Sequence, residues 1–334
     1  MSSIIHKKIQ GSHFEIGLQL GTIGRDTVQS YLINSPNWKF LMNFRKDPRV
    51  ADIQRQVEYH FPEYYQELKG MADACDVSLN DLFLWNCRGD IFPISGDGCT
   101  TVQVPGTTKL VAHNEDGDPN LYLGCAYVTV SLPQGNSFTC FVYPGSIPGH
   151  TFGVNNFKLV STINNIRSQE IGTGIPRMII TRAILDCSNI ENALKLLKKY
   201  SRAGAFHMTL STPVDKHIKS VEFTHTQSSS REINSTSVHS NHLIHEKMFR
   251  LPQIITASSY IRQKKSENII RSSFNNPLDV LWNNSDADFP TFRSCPDDPD
   301  FENTLSTAVF DIGDRNVNFR FYDRDKKEAL NGVI

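Results

Sequence analysis

Hydrophobic positions recur at helical spacing in the first part of the chain. In EIGLQLGTIGRDTVQSYL, the residues Ile16, Leu20, Ile23 and Val28 fall on one face of a helix. A second helix is predicted in PEYYQELKGMADAC, which has Pro62 near its start, and a third in SLNDLFLWNCRGD. We therefore expect a helical segment up to about residue 90, by this periodicity.

Beyond this segment the pattern changes to short runs of β-branched and aromatic residues separated by Gly, Pro or Asn. A helical pair interrupts them, and Ser188 with Glu191 predicts a capping box at the start of its second helix. Residues 246–303 have a mostly helical pattern that becomes polar toward the end. Within them, SCPDDPDFEN is predicted to be a solvated loop. Because no linker separates these blocks, they predict one α+β domain over residues 1–334. The predicted strands are TTVQV, KLVAHNE, YVTVSL, SFTCFVYPG, TFGVNNF, KLVSTIN, AFHMTLST, SVEFTH, TSVHSNH, TAVFDIG and NVNFRFYD.

Composition narrows the classes of partner. The 34 basic and 35 acidic residues give a net charge of −1, which argues against nucleic acid or an anionic membrane as the partner. No apolar run reaches the length of a membrane span and the first residues lack a signal core, so we expect a cytoplasmic protein. Seven cysteines without a CxxC pair predict free thiols, and the histidines of HSNHLIH lie in a predicted strand and turn. We predict no metal site and no cofactor.

One cysteine has unusual neighbours. The stretch GDGCTT, residues 96–101, places Cys99 between Gly98 and two threonines at the start of a predicted strand. A thiol there can attack the Gly98 carbonyl and take over its acyl group, and glycine obstructs that attack least. Hydrolysis would free a chain beginning at Cys99, whose α-amino group, with an ordinary pKa of about 7.7–8.0, can act as base for its own thiol. On these six residues alone, a turn with Cys99 packed as a small hydrophobic residue is the alternative.

The chain resembles a known family in several stretches that occur in the family's order. This family is the acyl-coenzyme A:6-aminopenicillanic acid, or isopenicillin N, acyltransferases, which form peptidase family C45 within the N-terminal nucleophile hydrolases. No single motif is specific, but their order is. The stretches are GSHFEIGLQLG (11–21), FPEYYQELKGMADACDVSLNDLFLWNCRGD (61–90), GDGCTT (96–101), HNED (113–116), GTGIPRMIITRAILDCSNIENAL (172–194), HSNH (239–242) and STAVFDI (306–312).

The resemblance implies a fold and a maturation step. The fold is a four-layer αββα sandwich. The precursor would cut itself between Gly98 and Cys99 into a helical segment, 1–98, and a second chain, 99–334, which remain associated. Gly98, Cys99 and Thr101 would take part in this self-processing.

The resemblance also assigns roles around the nucleophile Cys99. Asp116 matches an aspartate near the catalytic centre, and Asn241 matches a side chain of the oxyanion hole, for which an amide donor is chemically suited. His113 and Asn114 are candidates for supporting the substrate or the oxyanion. Taken alone, Asp116 would be a turn residue and Asn241 a strand-edge residue.

The predicted function is hydrolysis or acyl transfer at the C–N bond of a small linear or non-peptide amide, through a thioester on Cys99. Hydrolysis of a β-alanyl amine is one alternative, and N-acylation with acyl-CoA as a substrate is another. An unprocessed, inactive member that binds a ligand is the alternative of a different class. The sequence departs from the penicillin-forming enzymes in having no arginine at Asn303 or Thr304, with Arg293 as the nearest candidate.

Overall fold

The computed structural model describes residues 4–93, 98–285 and 288–334. Its strands form an eight-stranded sheet, in the order β1-β4-β5-β6-β7-β8-β9-β10, and a six-stranded sheet, in the order β11-β2-β3-β12-β13-β14. The strands are β1 Ile5–Gln10, β2 Gly98–Val104, β3 Lys109–Gly117, β4 Ala126–Ser131, β5 Ser137–Val142, β6 Phe152–Asn155, β7 Val160–Asn165, β8 Phe206–Ser211, β9 Ile218–Phe223, β10 Ser228–Ile233, β11 Ser237–His239, β12 Asn303–Ile312, β13 Val317–Asp323 and β14 Glu328–Val333. The α-helices are α1 His13–Ser30, α2 Pro36–Leu41, α3 Pro48–His60, α4 Pro62–Cys75, α5 Leu79–Asn86, α6 Arg88–Ile91, α7 Arg177–Ile184, α8 Ile190–Lys199, α9 Ala257–Ser272 and α10 Pro277–Leu281, with short 3₁₀ helices at Leu32–Asn34, Met42–Phe44 and Pro119–Gly124.

Helices cover one face of the larger sheet. The guanidinium of Arg182 in α7 lies 4.7 Å from the ring centroid of Phe138 in β5. The same guanidinium forms a buried two-point ion pair with Glu67 of α4, at 2.6 and 2.9 Å. Strand β6 is fixed to the end of α7 because Nδ2 of Asn155 donates to the carbonyls of Leu185 and Cys187. Residues from both sides of position 98 therefore share one helix layer.

The remaining two layers follow from contacts of the smaller sheet. Its inner face meets the larger sheet, where Nε2 of Gln103 in β2 donates to Oγ1 of Thr209 in β8 at 2.6 Å. Its outer face is covered by α9 and α10, and Nδ2 of Asn114 in β3 donates to the carbonyl of Leu281 in α10 at 2.6 Å. The order helix, sheet, sheet, helix confirms the predicted αββα sandwich.

The strands that the sequence pattern missed are edge strands. β1 and β10 end the larger sheet and β14 ends the smaller one. Only Ile9 is buried in β1, and only Ile233 in β10. Edge strands are commonly polar, so they lack the apolar signal of an inner strand. The N-terminal segment is therefore not purely helical, because it opens with β1, which pairs in parallel with β4.

Two local predictions are wrong. The N-cap of α8 is Asn189, whose side chain accepts from the backbone of Asn192, so Ser188 does not form the predicted capping box. The segment SCPDDPDFEN is not wholly solvated, because Asp298 and Glu302 are 4% and 2% exposed. Both carboxylates bind the buried Arg293. An acidic segment can leave water when a fixed guanidinium compensates it.

The seven cysteines are free thiols in this structure, as predicted. Across the described residues, no helix has both the length and the apolar character needed to cross a bilayer.

Candidate active site

The pairing of β2 with β3 gathers the predicted site residues. Cys99 lies opposite Glu115, Thr101 opposite His113, Thr100 opposite Asn114, and Gly98 opposite Asp116. Side chains alternate between the faces of a sheet, so this register sorts the site into two sets. Cys99, Thr101, His113 and Glu115 face the larger sheet, whereas Thr100, Asn114 and Asp116 face α9 and α10.

Cys99 is held through both its side chain and its main chain. The residue is 2% exposed, and its Sγ lies 3.6 Å from Oε2 of Glu115, within hydrogen-bonding range for sulfur. Its backbone N–H donates to Oδ1 of Asn241 at 3.0 Å. Asn241 therefore meets the nitrogen that would become the new amino terminus.

Asn241 presents its oxygen, rather than its nitrogen, to Cys99. Its Nδ2 donates to the carbonyl of Asn165 at 3.1 Å. In this orientation the side-chain oxygen of Asn241 accepts the hydrogen bond of the Cys99 nitrogen. The role of Asn241 as an oxyanion donor stays a prediction.

Thr101 and His113 form a hydrogen-bonded line on the inner face. Oγ1 of Thr101 lies 2.8 Å from Nδ1 of His113, and Nε2 of His113 lies 3.0 Å from Oε2 of Glu115. Burial lowers the pKa of His113 to about 3, so the imidazole is neutral near neutral pH. His113 is thus linked to the Cys99 thiol by hydrogen bonds through Glu115.

Asp116 lies on the other face of the sheet from the thiol. Its Oδ1 accepts from Oγ1 of Thr304 at 2.7 Å, and its Oδ2 has no hydrogen-bond partner among the described residues. Burial raises the pKa of Asp116 although the nearby charges of Arg262 and Arg293 oppose this. Its link to Cys99 is therefore electrostatic, by way of these arginines.

Asn114 shares that outer face and ties strand to helix. Its Nδ2 donates to the carbonyls of Leu281 and Thr291, and its Oδ1 accepts from Thr307. These bonds hold the outer helix layer against β3. The predicted role of Asn114 in supporting the substrate or the oxyanion stays a prediction.

Arg262 of α9 is a site residue that the sequence analysis did not predict. Its Nη1 donates to the Cys99 carbonyl at 2.7 Å and to Oγ1 of Thr100 at 2.8 Å. Its Nη2 donates to Oδ1 of Asn241 at 2.7 Å. One buried guanidinium therefore positions both the nucleophile's main chain and the acceptor of its nitrogen.

Arg293 lies beside Thr304 in space and 11 positions before it in sequence. Its backbone N–H donates to Oγ1 of Thr304, and the N–H of Thr304 donates back to the Arg293 carbonyl. Its guanidinium binds Asp298, Asp300 and Glu302. The chain has no arginine at Asn303 or Thr304, where the penicillin-forming enzymes have one, but Arg293 lies close to this position.

Gly98 lies close against the end of one buried side chain. A Cβ at this position would lie 2.5 Å from Oε2 of Glu302 and 3.3 Å from Nη1 of Arg293, so a larger residue would have to displace the Glu302 carboxylate. Packing therefore favours glycine before Cys99, in addition to the freedom that glycine gives an attacking thiol.

A narrow cavity lies against Cys99. Its volume of about 10 Å³ is room for about one water molecule, and guanidinium, imidazole, amide, thioether and aromatic groups line it. Burial and the positive charge of Arg88 lower the pKa of His150 to about 3, so this ring is neutral. The cavity is lined by Arg88, Cys99, Glu115, His150, Asn165, Arg177, Met178 and Phe206.

Glu115 lies within a stretch that the sequence analysis singled out, but it was not predicted to be a site residue. It lies in the HNED stretch two residues after His113, and residues at that spacing on a strand share a face. Strand alternation could therefore have joined Glu115 to His113. No comparable signal existed for Arg262, which is 163 residues from Cys99.

The four-layer fold, with a buried cysteine following a glycine on a central strand, is the arrangement that the resemblance to the N-terminal nucleophile hydrolases predicts. Residues 103–326 match the family described as Acyl-coenzyme A:6-aminopenicillanic acid acyl-transferase, and the chain belongs to that family. This match begins after Cys99, so it does not bear on the nucleophile itself.

Two individual proteins are similar to the chain. The Beta-alanyl-dopamine/carcinine hydrolase of Drosophila melanogaster is 30% identical, over 57% of this chain and 56% of that protein, so the chain spans about half the length of this relative. The penicillin V acylase of Agrobacterium tumefaciens is 14% identical with a TM-score of 0.41, covering 68% of this chain and 86% of that structure.

Proposed function

We propose that the chain is a self-processing amidohydrolase whose nucleophile is an N-terminal Cys99. The observation that carries this proposal is the triple restraint on that one residue. Its thiol faces Glu115, its nitrogen is bonded to Asn241, and its carbonyl is bonded to Arg262. The backbone N–H and C=O of any buried residue need partners, so what distinguishes Cys99 is that buried side chains, Asn241 and Arg262, supply them while a carboxyl group meets the thiol.

Self-processing begins when Sγ of Cys99 attacks the Gly98 carbonyl carbon. The C–S bond forms, and the electron pair of the C–N bond leaves on the Cys99 nitrogen, which takes up the proton lost by the thiol. Water then hydrolyses the thioester, giving a Gly98 carboxyl group and restoring the thiol. The close approach of the Glu302 carboxylate to Gly98, which favours glycine before the attacking thiol, supports this step.

In the mature enzyme the freed amino group of Cys99 takes the proton of its own thiol. Asn241 Oδ1 and the guanidinium of Arg262 hold this residue in place. The thiolate attacks the substrate amide, the leaving amine takes the proton from the amino group, and water resolves the acyl-enzyme. With an amine in place of water the same intermediate gives acyl transfer, for which acyl-CoA would be an alternative acyl donor.

The two segments would remain associated after cleavage. The ion pair of Glu67 with Arg182 and the pairing of β1 with β4 join residues on either side of the cut. Both contacts lie within the folded sandwich and neither depends on the bond that is cut.

The substrate class that we favour is a small linear amide, with β-alanyl amines as the first candidates. The name of the Drosophila relative is the observation that points to them.

The test is an amide screen with purified wild type and a Cys99→Ala variant. We expect wild type to release amine from a β-alanyl amide, and the variant to release none. Acyl-CoA offered with free amine separates transfer from hydrolysis. If wild type turns over no small amide and stays uncut, the proposal fails and the inactive ligand-binding alternative takes its place.

A further inference from the structure

A buried histidine joins the two sheets two residues before Asn241. His239 ends β11, where it pairs with Thr101 of β2. Its buried ring reaches the larger sheet, with Nε2 2.8 Å from Oε1 of Glu222 in β9. The ring therefore connects the larger sheet to the segment that carries the acceptor of the Cys99 nitrogen.

The hydrogen bonds of Glu222 indicate an ionised carboxylate. Its Oε1 accepts from the backbone N–H groups of Ile244 at 2.7 Å and His245 at 3.2 Å, and its Oε2 accepts from His245 at 3.1 Å. An ionised carboxylate only accepts and can take all of these donors, whereas a protonated Oε1 is a poor acceptor for two N–H groups. Burial alone would raise the pKa of Glu222, but the hydrogen bond and the charge of His239 lower it.

Both ring nitrogens of His239 face atoms that accept hydrogen bonds. Nδ1 lies 2.9 Å from the carbonyl oxygen of Ser240, and Nε2 lies against the carboxylate of Glu222. A neutral imidazole has one N–H, so it would leave a bare nitrogen against one of these acceptors. The imidazolium form has two N–H groups and satisfies both contacts.

The ring that stacks on His239 fits this assignment. The rings of His207 and His239 are parallel to within 2°, with centroids 3.5 Å apart. Two imidazolium rings at this distance would repel, so a charged His239 requires a neutral His207. The partners of His207 suit a neutral ring, because Nδ1 meets Oδ1 of Asn164 and Nε2 meets the hydroxyl of Ser220, which can donate. Burial also lowers the pKa of His207.

The His239 ring holds one side of the peptide group that precedes Asn241. Nδ1 donates to the carbonyl of Ser240, and the N–H of the same peptide group donates to Oγ of Ser259 at 2.9 Å. A charged donor makes the stronger bond to the carbonyl. We propose that His239 is an imidazolium that positions Asn241 against the Cys99 nitrogen, a role that rests on the proposed function. It is a positioning residue, because it acts through Asn241.

Loss of the ring proton would release this hold. A neutral His239 keeps one N–H, and the carboxylate of Glu222 favours keeping it on Nε2. The lone pair of Nδ1 would then face the Ser240 carbonyl and repel it. We therefore expect the position of Asn241 to loosen as the pH rises and the imidazolium loses its proton.

Other charged groups around His239 act more weakly than Glu222. Arg231 of β10 opposes an imidazolium, but it also interacts with Glu222, and Arg262 of α9 is bonded to the Cys99 carbonyl. Glu222 is in direct contact with the ring, so its attraction is the largest of these effects. The titratable and charged groups around the ring are Glu222, His207, Arg231, Arg262, His242 and His245.

The charge on His239 can be measured without any turnover. In full-length Cys99→Ala protein with ¹⁵N-labelled histidine, we expect an imidazolium with two N–H protons at about pH 8, where an ordinary histidine, with a pKa of about 6.5, is neutral. Its signal is assigned by its loss in His239→Gln or, if that variant does not fold, by nuclear Overhauser contacts with the His207 ring. A neutral ring at His239 would overturn the proposal.

Glu222→Gln tests the positioning role. The glutamine carbonyl can still accept from Ile244 and His245, but it has no charge to hold the imidazolium. An opposite charge in contact usually shifts a titration by about 1–3 pH units, so we expect self-cleavage to fall off at a pH lower than in wild type by that amount. Above the fall we expect cleavage slower by up to about 10²-fold, the cost of misplacing a reacting group by about 1 Å.

The rates come from time courses of intact mass on protein refolded at each pH, with the folded fraction measured by circular dichroism. Glu232→Gln is the matched control. It removes a half-exposed carboxylate that lies 3.8 Å from His217 and pairs with Lys219 at the edge of the same sheet. We expect the wild-type pH profile for this control.

The outcomes separate the positioning role from a purely structural one. If Glu222→Gln loses stability but keeps the wild-type pH profile, the proposal is wrong. If this variant does not fold, the pH at which the His239 ring becomes neutral must match the pH at which wild-type cleavage falls, and a mismatch overturns the proposal. If wild type cleaves at no pH, the proposed function fails, while the spectra of the Cys99→Ala protein still decide the charge on His239.

Discussion

The two faces of the β2–β3 strand pair are buried alike but differ in how charged groups meet Cys99. On the inner face, Cys99, Thr101, His113 and Glu115 form a line of hydrogen bonds, and Arg88 and Arg177 line the cavity beside the thiol. On the outer face, Asp116 lies near the charges of Arg262 and Arg293. The difference teaches that the reacting atom and the charges that position it are on opposite sides of one sheet.

The charges of the outer face act through the main chain. Arg262 reaches the Cys99 carbonyl and Asn241, and Arg293 with Glu302 encloses Gly98. A guanidinium in contact with the backbone of the scissile segment can hold its geometry without approaching the thiol.

The largest expected effect in this comparison comes from Arg262→Lys. An ammonium cannot reproduce the fork that spans the Cys99 carbonyl, Thr100 and Asn241. We expect self-cleavage to slow by about 10²–10³-fold, the range found when one positioned donor is lost. A time course of intact mass measures the rate.

Arg182→Lys is the matched control for Arg262→Lys. It alters an equally buried arginine, but one bound to Glu67 and Asp186 in the helix layer. We expect lower stability and a normal cleavage rate for the folded protein. Equal slowing in both variants would mean that Arg262 acts only through stability.

A smaller effect concerns the pH dependence of the free energy of unfolding, to which the buried ring of His150 contributes. Burial lowers the pKa of His150 to about 3, whereas an unfolded histidine titrates near 6.5. Between these values the unfolded chain binds one more proton than the folded chain, so acid weakens folding through this residue. Its contribution is about 1.4 kcal/mol per pH unit below 6.5, and none above it.

Urea unfolding of Cys99→Ala protein with and without His150→Gln, from about pH 7 to pH 5, measures this slope. We expect the free energy of unfolding to fall less steeply with acid in the His150→Gln variant. Identical slopes in the two proteins would contradict a buried, neutral His150.

Helices and strands were predicted best from the sequence where their buried positions recur with a regular period. The inner strands and the helices α1, α4 and α7 were predicted because their apolar periodicity is strong. The edge strands β1, β10 and β14 escaped because their exposed positions are polar. Asn241 was found through a family motif, and its contact with the Cys99 nitrogen agrees with a place at the centre of the site.

The parts of the site that escaped prediction depend on long-range packing. Arg262 meets Cys99 across 163 positions, and Arg293 meets Thr304 through backbone hydrogen bonds of a loop. A single sequence carries no periodicity for such contacts. Strand register, in contrast, is local, and with it the pairing of Glu115 with Cys99 follows from the short connection between β2 and β3.

The central claim is that Cys99 becomes an N-terminal nucleophile, and intact mass measures it most directly. Cleavage after Gly98 would divide the 37.7 kDa chain into fragments of about 11 and 27 kDa, for an ordinary average residue mass. We predict both masses for purified wild type and only the full mass for Cys99→Ala. If wild type stays whole after prolonged incubation, or if Cys99→Ala is cut at the same bond, the account is wrong.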